Sequence, residues 1–594
     1  MMHVARPPHR VPEFEESLLS TTPAGLQSAT VLRRRRRVFF LLNFLSFAGF
    51  LGLVGAVLGS GGWSPVDLTL FVCCALILPW TIMGVWNGLI GLWLIARGPA
   101  GLAAAAPFAA PTDDPIRIDT AIVMPLRNED PGRALAGLKR VKASLDATGW
   151  GSRFAFHVLS DSDDPAIIAA EERVMADWTA RDPESGDRIA YRRRANNAGF
   201  KAGNLQEFCR ETGERYELML PLDADSAMDG TRILDLVRIM QAHPRIGILQ
   251  SLVVGTASAS PFARIFQFGM RQGMRPYTMG AAWWSGDCGP FWGHNALVRI
   301  APFAASCPLP VLSPGLFGGP ILSHDQIEAV LMRRAGYEVR VLPTEGGSFE
   351  ENPPTLLDHV EREARWCLGN LQYVRLLGLP GIAPTSRFQL VAAVMMFMTA
   401  PALTLALLLS PLAAMQADAS FPAGLAGALY LAWLAGSMAP KLAGYAEILA
   451  SGSAARRYGG RARFALGAVV ELVFSFLLFP VLCVWLSIAM IRALTGRRSV
   501  WNRQDRDGGR VTLALAWRRL WPCFGIGMVS ALLTLGLGPA AFLWSLPLLA
   551  GLLLCVPFAV ATSLPSLGHA MKRNALCATP EERVSETRDA RAGR

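Results

Sequence analysis

The chain has 594 residues, of which 52% are hydrophobic and only 17% charged; 57 Lys and Arg against 46 Asp and Glu give a formal net charge of +11. A typical soluble domain carries about 25% charged residues, and a disordered chain is far poorer in apolar groups, so neither a wholly soluble globule nor a disordered protein fits. The mean hydropathy of +0.32 averages two populations, apolar segments suited to a bilayer and a polar part suited to water.

In chain order, residues 1–37 form a basic segment ending in Arg33, Arg34, Arg35, Arg36 and Arg37. The uncharged stretch Val38 to Leu58 follows directly. A bilayer core takes about 20 apolar residues per helix. The arginine run therefore reads as a topology signal and anionic-lipid anchor, not a nucleic-acid contact. No A-x-A-like cleavage site accompanies this first span, which is read as retained. Leu68 to Ala96 is also uncharged, so residues 38–97 are predicted as two transmembrane helices. Residues 98–387 are polar and predicted as a cytosolic domain with interfacial helices. Residues 388–491 are predicted as transmembrane helices, from Phe388 to Leu412, Phe421 to Pro440 and Phe464 to Ile491. A basic cytosolic loop (492–519), two more helices (520–571) and a cytosolic tail (572–594) complete the reading. Basic loops flank Phe464 to Ile491 on both sides, which one crossing cannot satisfy. Pro480 lies near its middle, so either a broken hairpin or a segment that borrows helix from the preceding stretch is expected, with eight spans in all. Glu471 inside it is a functional candidate by its position, with pairing near the interface as the equal alternative.

The ten cysteines are scattered without a CxxC or His/Cys cluster, so neither a disulfide framework nor a zinc site is expected. Between Asp119 and Ser348, short β-rich runs (Thr120 to Met124, Phe154 to Leu159, Ile189 to Arg193, Leu218 to Leu222, Ile246 to Val253) alternate with helical ones (Arg133 to Asp146, Pro165 to Ala180, Phe200 to Thr212, Thr231 to Ala242). That alternation predicts a largely parallel sheet, whose ligands bind at the carboxyl ends of strands.

Four strand ends carry chemistry. They are Pro125 to Pro131, Ser160 to Pro165, Asn196 to Asn204 and Leu222 to Ser226. In Asp223-Ala-Asp225 the two carboxylates point the same way from an extended strand end. Together they offer an incomplete oxygen site suited to Mg²⁺ or Mn²⁺, which would complete its shell with water and substrate phosphate. Lys201, between Gly199 and Gly203, adds a cation. No P-loop is present, which disfavours an ATPase. Structural alternatives accompany these residues. Asp164-Pro165 fits a helix N-cap with Pro at N1, His157 on an apolar strand fits a satisfied core position, and any single Trp is more often core than sugar platform.

In order along the chain, Asn128-Glu129, Asp161/Asp163, Lys201-Ala-Gly-Asn204, Asp223-x-Asp225, His324-Asp325 and Arg362-x-x-Arg365-Trp366 resemble the processive family 2 glycosyltransferases, the cellulose-synthase-like enzymes. His157 to Asp164, Arg192 to Asn204, Phe291-Trp-Gly-His-Asn295 and Arg365 to Asn370 are similar to the branch that builds osmoregulated periplasmic glucans. The resemblance runs from about residue 30 to 565. It implies a polytopic α-helical membrane protein with a cytosolic α/β domain of GT-A type, its sheet mixed but mainly parallel. It implies an inner-membrane location with both termini cytoplasmic, and inverting transfer from UDP-glucose onto a growing β-1,2-glucan that is exported. It places the nucleotide sugar on Asp161, Asp163, Asn128, Glu129, Lys201, Asn204, Arg362 and Arg365, the metal on Asp223 and Asp225, and the general base at Asp325. Trp366, Trp292, His294 and Asn295 are assigned to the acceptor, and Trp501, Asn502, Gln504 and Arg506 to a gating loop. Acyl carrier protein and the periplasmic glucan-pathway protein G are implied partners; nucleic acid is not. Arg362 stands where the wider family has Gln. Synthases of cellulose, chitin or hyaluronan type, and a transporter with a nucleotide-sensing domain, are the competing readings.

Overall fold

A computed structural model describes residues 26–109, 112–418, 420–495 and 509–583. Helix α1 (Ala29–Leu58) is capped by Ser28, so the arginine run lies inside the helix and not ahead of it. The run is also only partly available to lipid. Arg35 donates to the carbonyls of Ala104 (2.8 Å) and Trp283 (3.3 Å), and Arg36 to those of Trp284 (3.2 Å) and Ser285 (2.6 Å). Helix α2 (Pro65–Ala96) starts on a Ser64/Asp67 capping box, and α3 (Pro99–Ala105) leads into the α/β domain.

That domain alternates β1 (Thr120–Leu126), α4 (Pro131–Asp146), β2 (Phe154–Ser160), α5 (Pro165–Arg181), β3 (Ile189–Arg193), α6 (Phe200–Thr212), β4 (Leu218–Pro221), β5 (Ser226–Met228), α7 (Gly230–Ala242), β6 (Ile246–Ser251) and β7 (Val254–Gly255). Next come α8 (Pro261–Ser285), β8 (Ala296–Arg299), α9 (Ile300–Ser306), α10 (Asp325–Arg334), β9 (Glu338–Leu342), β10 (Ser348–Glu350) and α11 (Leu356–Leu371). The seven-stranded sheet runs β3-β2-β1-β4-β8-β6-β9. Its central strands are buried apolar runs such as Thr-Ala-Ile-Val-Met-Pro-Leu, the pattern of a parallel sheet covered on both faces. Only β8 is antiparallel to its neighbours β4 and β6, which makes the sheet mixed but mainly parallel. A second, three-stranded sheet, β5-β10-β7, sits beside the end of β4. Its strands of two or three residues are too short to leave a periodic signal.

His157 is a core residue. Its ring meets Phe208 and Tyr216 edge-on, and Nε2 lies 3.1 Å from the Tyr216 hydroxyl. Burial, then Arg215 and Arg192, push it down to about 4. The unfolded chain, titrating near its ordinary value of about 6.5, then binds a proton between those limits that the folded chain does not, so stability falls as pH drops through that window. The His157→Gln variant is expected to lose less melting temperature between pH 7 and pH 5 than the parent in detergent.

Beyond the domain lie α12 (Pro384–Gln416), α13 (Ala423–Ser437), α14 (Ala439–Ala450), α15 (Gly452–Arg457), α16 (Arg461–Leu494), α17 (Leu513–Gly536), α18 (Pro539–Leu553), α19 (Cys555–Thr562) and α20 (Pro565–Arg573). Among the described residues five helices are long and apolar enough to cross a membrane, or seven if the pairs α13–α14 (bent 65°) and α18–α19 (bent 55°) each make one span. The eight spans expected are not reached, because Pro480 lies inside one unbroken 34-residue helix, α16. A proline costs a membrane helix little where neighbouring helices pack around the gap, and Pro480 packs on Gly551 of α18. Glu471 is 1% exposed and accepts from Lys441, Tyr445 and Ser475, so it ties α14 to α16 as a satisfied buried carboxylate. It also fits against Gly269 of α8, where an added Cβ would lie 2.0 Å from Oε1.

Both described ends of the chain touch the domain side. Gln27 donates to Ala104 and Ala105 and accepts from Arg340. Near the other end, Glu582 and Glu581 form forked pairs with the buried Arg264 and Arg271 of α8. All ten cysteines are free.

Candidate active site

The β1 and β2 ends are fastened together by Asn128, which takes the left-handed conformation (φ 53°) that Asn tolerates better than most residues. Its Nδ2 donates to Asp163 at 2.6 Å, its Oδ1 accepts from the backbone of Asp163 and Asp164, and its own N–H donates to Ser162. Glu129 follows, half-buried, in the same turn. Asp163 faces solvent, its carboxyl held below the ordinary range first by Asn128 and then by Arg127. Asp161 points inward. It is buried in a forked pair with Arg194, at 2.7 and 2.8 Å. Asp164 caps α5 through the Ala166 N–H at 2.8 Å, with Pro165 at N1.

Lys201 sits in the first turn of α6, after Gly199 (φ 71°), where an added Cβ would crowd Gly203 at 3.0 Å. Its Nζ donates to Asp223 Oδ1 at 2.5 Å. Burial opposes the ammonium, but Asp223, then Asp325 and Glu328, hold Lys201 above its usual range. Asn204 is fully buried. It accepts from Arg192 and donates to the Leu159 carbonyl at 3.2 Å, welding α6 to the sheet behind the cleft.

Asp223-Ala-Asp225 turns directly into β5. Antiparallel pairing of β5 with β10 sets Glu350 opposite Ser226, so a third carboxyl joins the two aspartates. Burial, then Asp225 and Asp223, push Glu350 up against the pull of His294 and Arg362. His294 has Nδ1 3.2 Å from Ser226 Oγ and Nε2 3.8 Å from Glu350. Burial alone would lower its proton affinity, yet Asp223, Glu350 and Asp225 raise it. Asn295, at φ 51° and fully buried, donates to Ser348 and the Phe349 carbonyl; it fixes β10. Half-buried Trp292 is anchored by its N–H to Gln250 at 2.8 Å.

Asp325 opens α10, where the helix dipole favours a carboxylate. Gly293 (φ 79°) lies so close that an added Cβ would be 3.2 Å from the Asp325 Cγ. His324 touches Asp325 at 3.5 Å and Glu328 at 2.8 Å. On α11, Arg362 lies 4.7 Å over the Trp366 ring, and Trp366 remains 46% exposed, a flat apolar face open to a ligand. Burial lowers the neighbouring Arg365 guanidinium.

The structure thus gathers Lys201, Asp223, Asp225, His294 and Asp325 in one cleft, with Arg362 and Trp366 at its edge and Asn128 and Asp163 on the adjoining rim. Asp161, Asn204 and Asn295 belong to the walls. Trp501, Asn502, Gln504 and Arg506 lie outside the described residues. Glu350 and Arg194 escaped the sequence reading. Glu350 stands outside the motifs, and Arg194 lies within Arg192 to Asn204 with no role assigned to it there; the pairing of β10 with β5 and the fork on Asp161 reveal them. Among the described residues no set of three or more His, Cys, Asp or Glu is arranged to hold a metal unaided.

An α/β sheet with paired carboxylates at a strand end, flanked by apolar helices, defines a membrane glycosyltransferase. Residues 121–305 match the model for glycosyl transferase family 2, and residues 218–439 that for glycosyl transferase family group 2. Over 551 residues the chain is 35% identical to the glucans biosynthesis glucosyltransferase H of Cereibacter sphaeroides, covering 88% of this chain and 89% of that one. The protein of the same name from Xanthomonas oryzae is 35% identical over 572 residues (92% and 87%), and that from Vibrio cholerae 34% over 578 residues (92% and 77%). The chain belongs to the glucans biosynthesis glucosyltransferase H family.

Proposed function

We propose that the protein transfers glucose from UDP-glucose to a growing β-1,2-linked glucan by a single inverting displacement, processively, and passes the chain across the bacterial inner membrane. The carrying observation is Lys201, bonded to Asp223 and close enough to Asp325 to feel its charge. One cation thereby joins the carboxylates suited to a diphosphate and the carboxylate suited to a base. Asp325 takes the proton of the acceptor hydroxyl, where reach matters before proton affinity. Lys201 and Arg362 neutralise the departing diphosphate, and Trp366 stacks the acceptor sugar.

Mg²⁺ or Mn²⁺ fits this donor set. Asp223 and Asp225 lie on one turn beside Glu350 on β10, a set of oxygen donors suited to a hard cation, and Asp223 keeps 35% of its side chain exposed. The two aspartates would hold the ion, which would supply charge neutralisation to the leaving group worth several kcal/mol. The domain and both described chain ends are read as cytoplasmic, with an even number of crossings between the ends; the contacts of Gln27 and Glu581 with the domain side support this reading, which requires one of the two bent helix pairs not to cross.

The test is purified protein in lipid vesicles with radiolabelled UDP-glucose and Mg²⁺, followed by linkage analysis. Incorporation into β-1,2-glucan is expected; label from UDP-N-acetylglucosamine but not UDP-glucose would overturn the substrate, and a β-1,4 product the linkage.

A further inference from the structure

The turn between α8 and the active-site loop holds a carboxylate that no motif accounts for. Asp287 is largely buried, with 14% of its side chain exposed. Its Oδ1 pairs with Arg36 of α1, and its Oδ2 with Arg333 in the last turn of α10 at 2.5 Å. Its carbonyl accepts from Val339 of β9 at 3.0 Å. One residue thus joins the first membrane helix and the far end of the helix that begins at Asp325 through its carboxylate, and the sheet through its carbonyl.

A second contact fixes the same junction. Leu32 of α1, 3% exposed, packs on Gly286 (φ 54°), where an added Cβ would meet its Cδ2 at 2.4 Å. A few residues on, Gly293 closes over Asp325. The inner end of α1 therefore reaches Asp325 by two routes, through Arg333 along α10 and through the loop beginning at Asp287. A ten-residue helix at 1.5 Å per residue is a rigid lever about 15 Å long, so a shift at Arg333 moves Asp325. Arg36 and Arg333 are left as adjacent like charges if Asp287 is neutralised, and a buried pair broken on one side is costly.

We propose that Asp287 is a positioning residue that sets the helix bearing Asp325 in register with the first membrane helix through Arg36 and Arg333. The inference rests on the reading of Asp325 as base. It gives part of the arginine run a task inside the protein, distinct from lipid anchoring.

Asp287→Asn, Arg36→Gln and Arg333→Gln are compared in full-length protein in vesicles, with Arg34→Gln, exposed and outside this junction, as control. Each of the three is expected to lower kcat roughly ten- to hundredfold, the scale of a misplacement of about 1 Å. KM for UDP-glucose and UDP affinity should stay within about twofold, since the nucleotide residues are untouched. The double variant of Arg36 and Asp287 should be no slower than Asp287→Asn alone, as for residues acting as a unit. Backbone amide exchange over residues 325–334 should quicken in the three variants and not in the control. Parent-like kcat and exchange, or additive losses, overturn the proposal. If Asp287→Asn fails to fold, Arg36→Lys, which keeps the charge but not the fork, is read against Arg36→Gln, and recovery of kcat is expected. The exchange measurement does not depend on which residue is the base. An active Asp325→Asn enzyme would therefore refute the base, while unchanged exchange would refute the junction.

Discussion

Asp325→Asn is expected to bind UDP as the parent does while glucose incorporation falls about 10²- to 10⁴-fold, the usual worth of a positioned general base. Asn keeps the shape of the side chain and its place at the start of α10, so the contact with Gly293 and the neighbouring His324 survive. Only the proton acceptor is lost. The residues proposed for the uridine side lie at the ends of β1 and β2 and on α6, held by Asn128, Arg194 and Asn204, apart from the Gly293 and His324 contacts of Asp325. Isothermal titration with UDP beside incorporation of radiolabelled glucose separates the two effects. Full activity in the variant would remove Asp325 as base, and joint loss of UDP binding would mean that the substitution disturbs the cleft as a whole.

The second large effect is expected at Asp225. In Asp225→Ala, incorporation should fall to background at any Mg²⁺ concentration, and addition of Mg²⁺ should no longer tighten UDP binding. Loss of one carboxylate from the pair removes an anion from this face and relieves Glu350, which burial and then Asp225 push up. Glu350 cannot substitute, because it is carried on a separate strand and is engaged by His294. Parent enzyme that turns over equally well in chelator would dismiss a metal role for Asp223 and Asp225 together.

The alternation of strands and helices from β1 to β6 was legible because each central strand is a short buried apolar run and because α4 and α5 start on the capping residues Asp130 and Asp164. Antiparallel β8 was not, since Ala-Leu-Val-Arg is short and its direction is set by partners far along the chain. The polar residues at strand ends pointed to the region where the structure brings Lys201 and Asp223 together. What sequence could not distinguish was direction. Asp161 and Asp163 stand two residues apart, and on an extended segment the same spacing that suggests a pair leaves open which one a buried arginine captures. Arg194 takes Asp161 and leaves Asp163 to solvent. Asn204 and Asn295 likewise read as ligand contacts, yet their amides are consumed by main-chain and side-chain partners in the walls. The hairpin expected at Pro480 failed for a different reason. Loop charge constrains the parity of crossings, but it cannot say where along the chain a helix is bent, and the bends fall at α13–α14 and α18–α19.

The forked pairs between α8 and the distal carboxylates have a consequence for biogenesis. Arg271 is nearly sealed from solvent, and its partner Glu581 comes 310 residues later. At about 5–20 residues per second, a ribosome needs roughly 15–60 s to supply that counter-charge, and every helix from α12 to α20 is made in the interval. Until then Arg264 lacks Glu582 and Arg271 is paired with Glu345 alone, and α8 cannot settle against α16 and α20 without burying an uncompensated guanidinium. Maturation of the catalytic half therefore waits on synthesis of the membrane half, and a nascent chain stalled before Glu581 leaves Arg264 without its carboxylate.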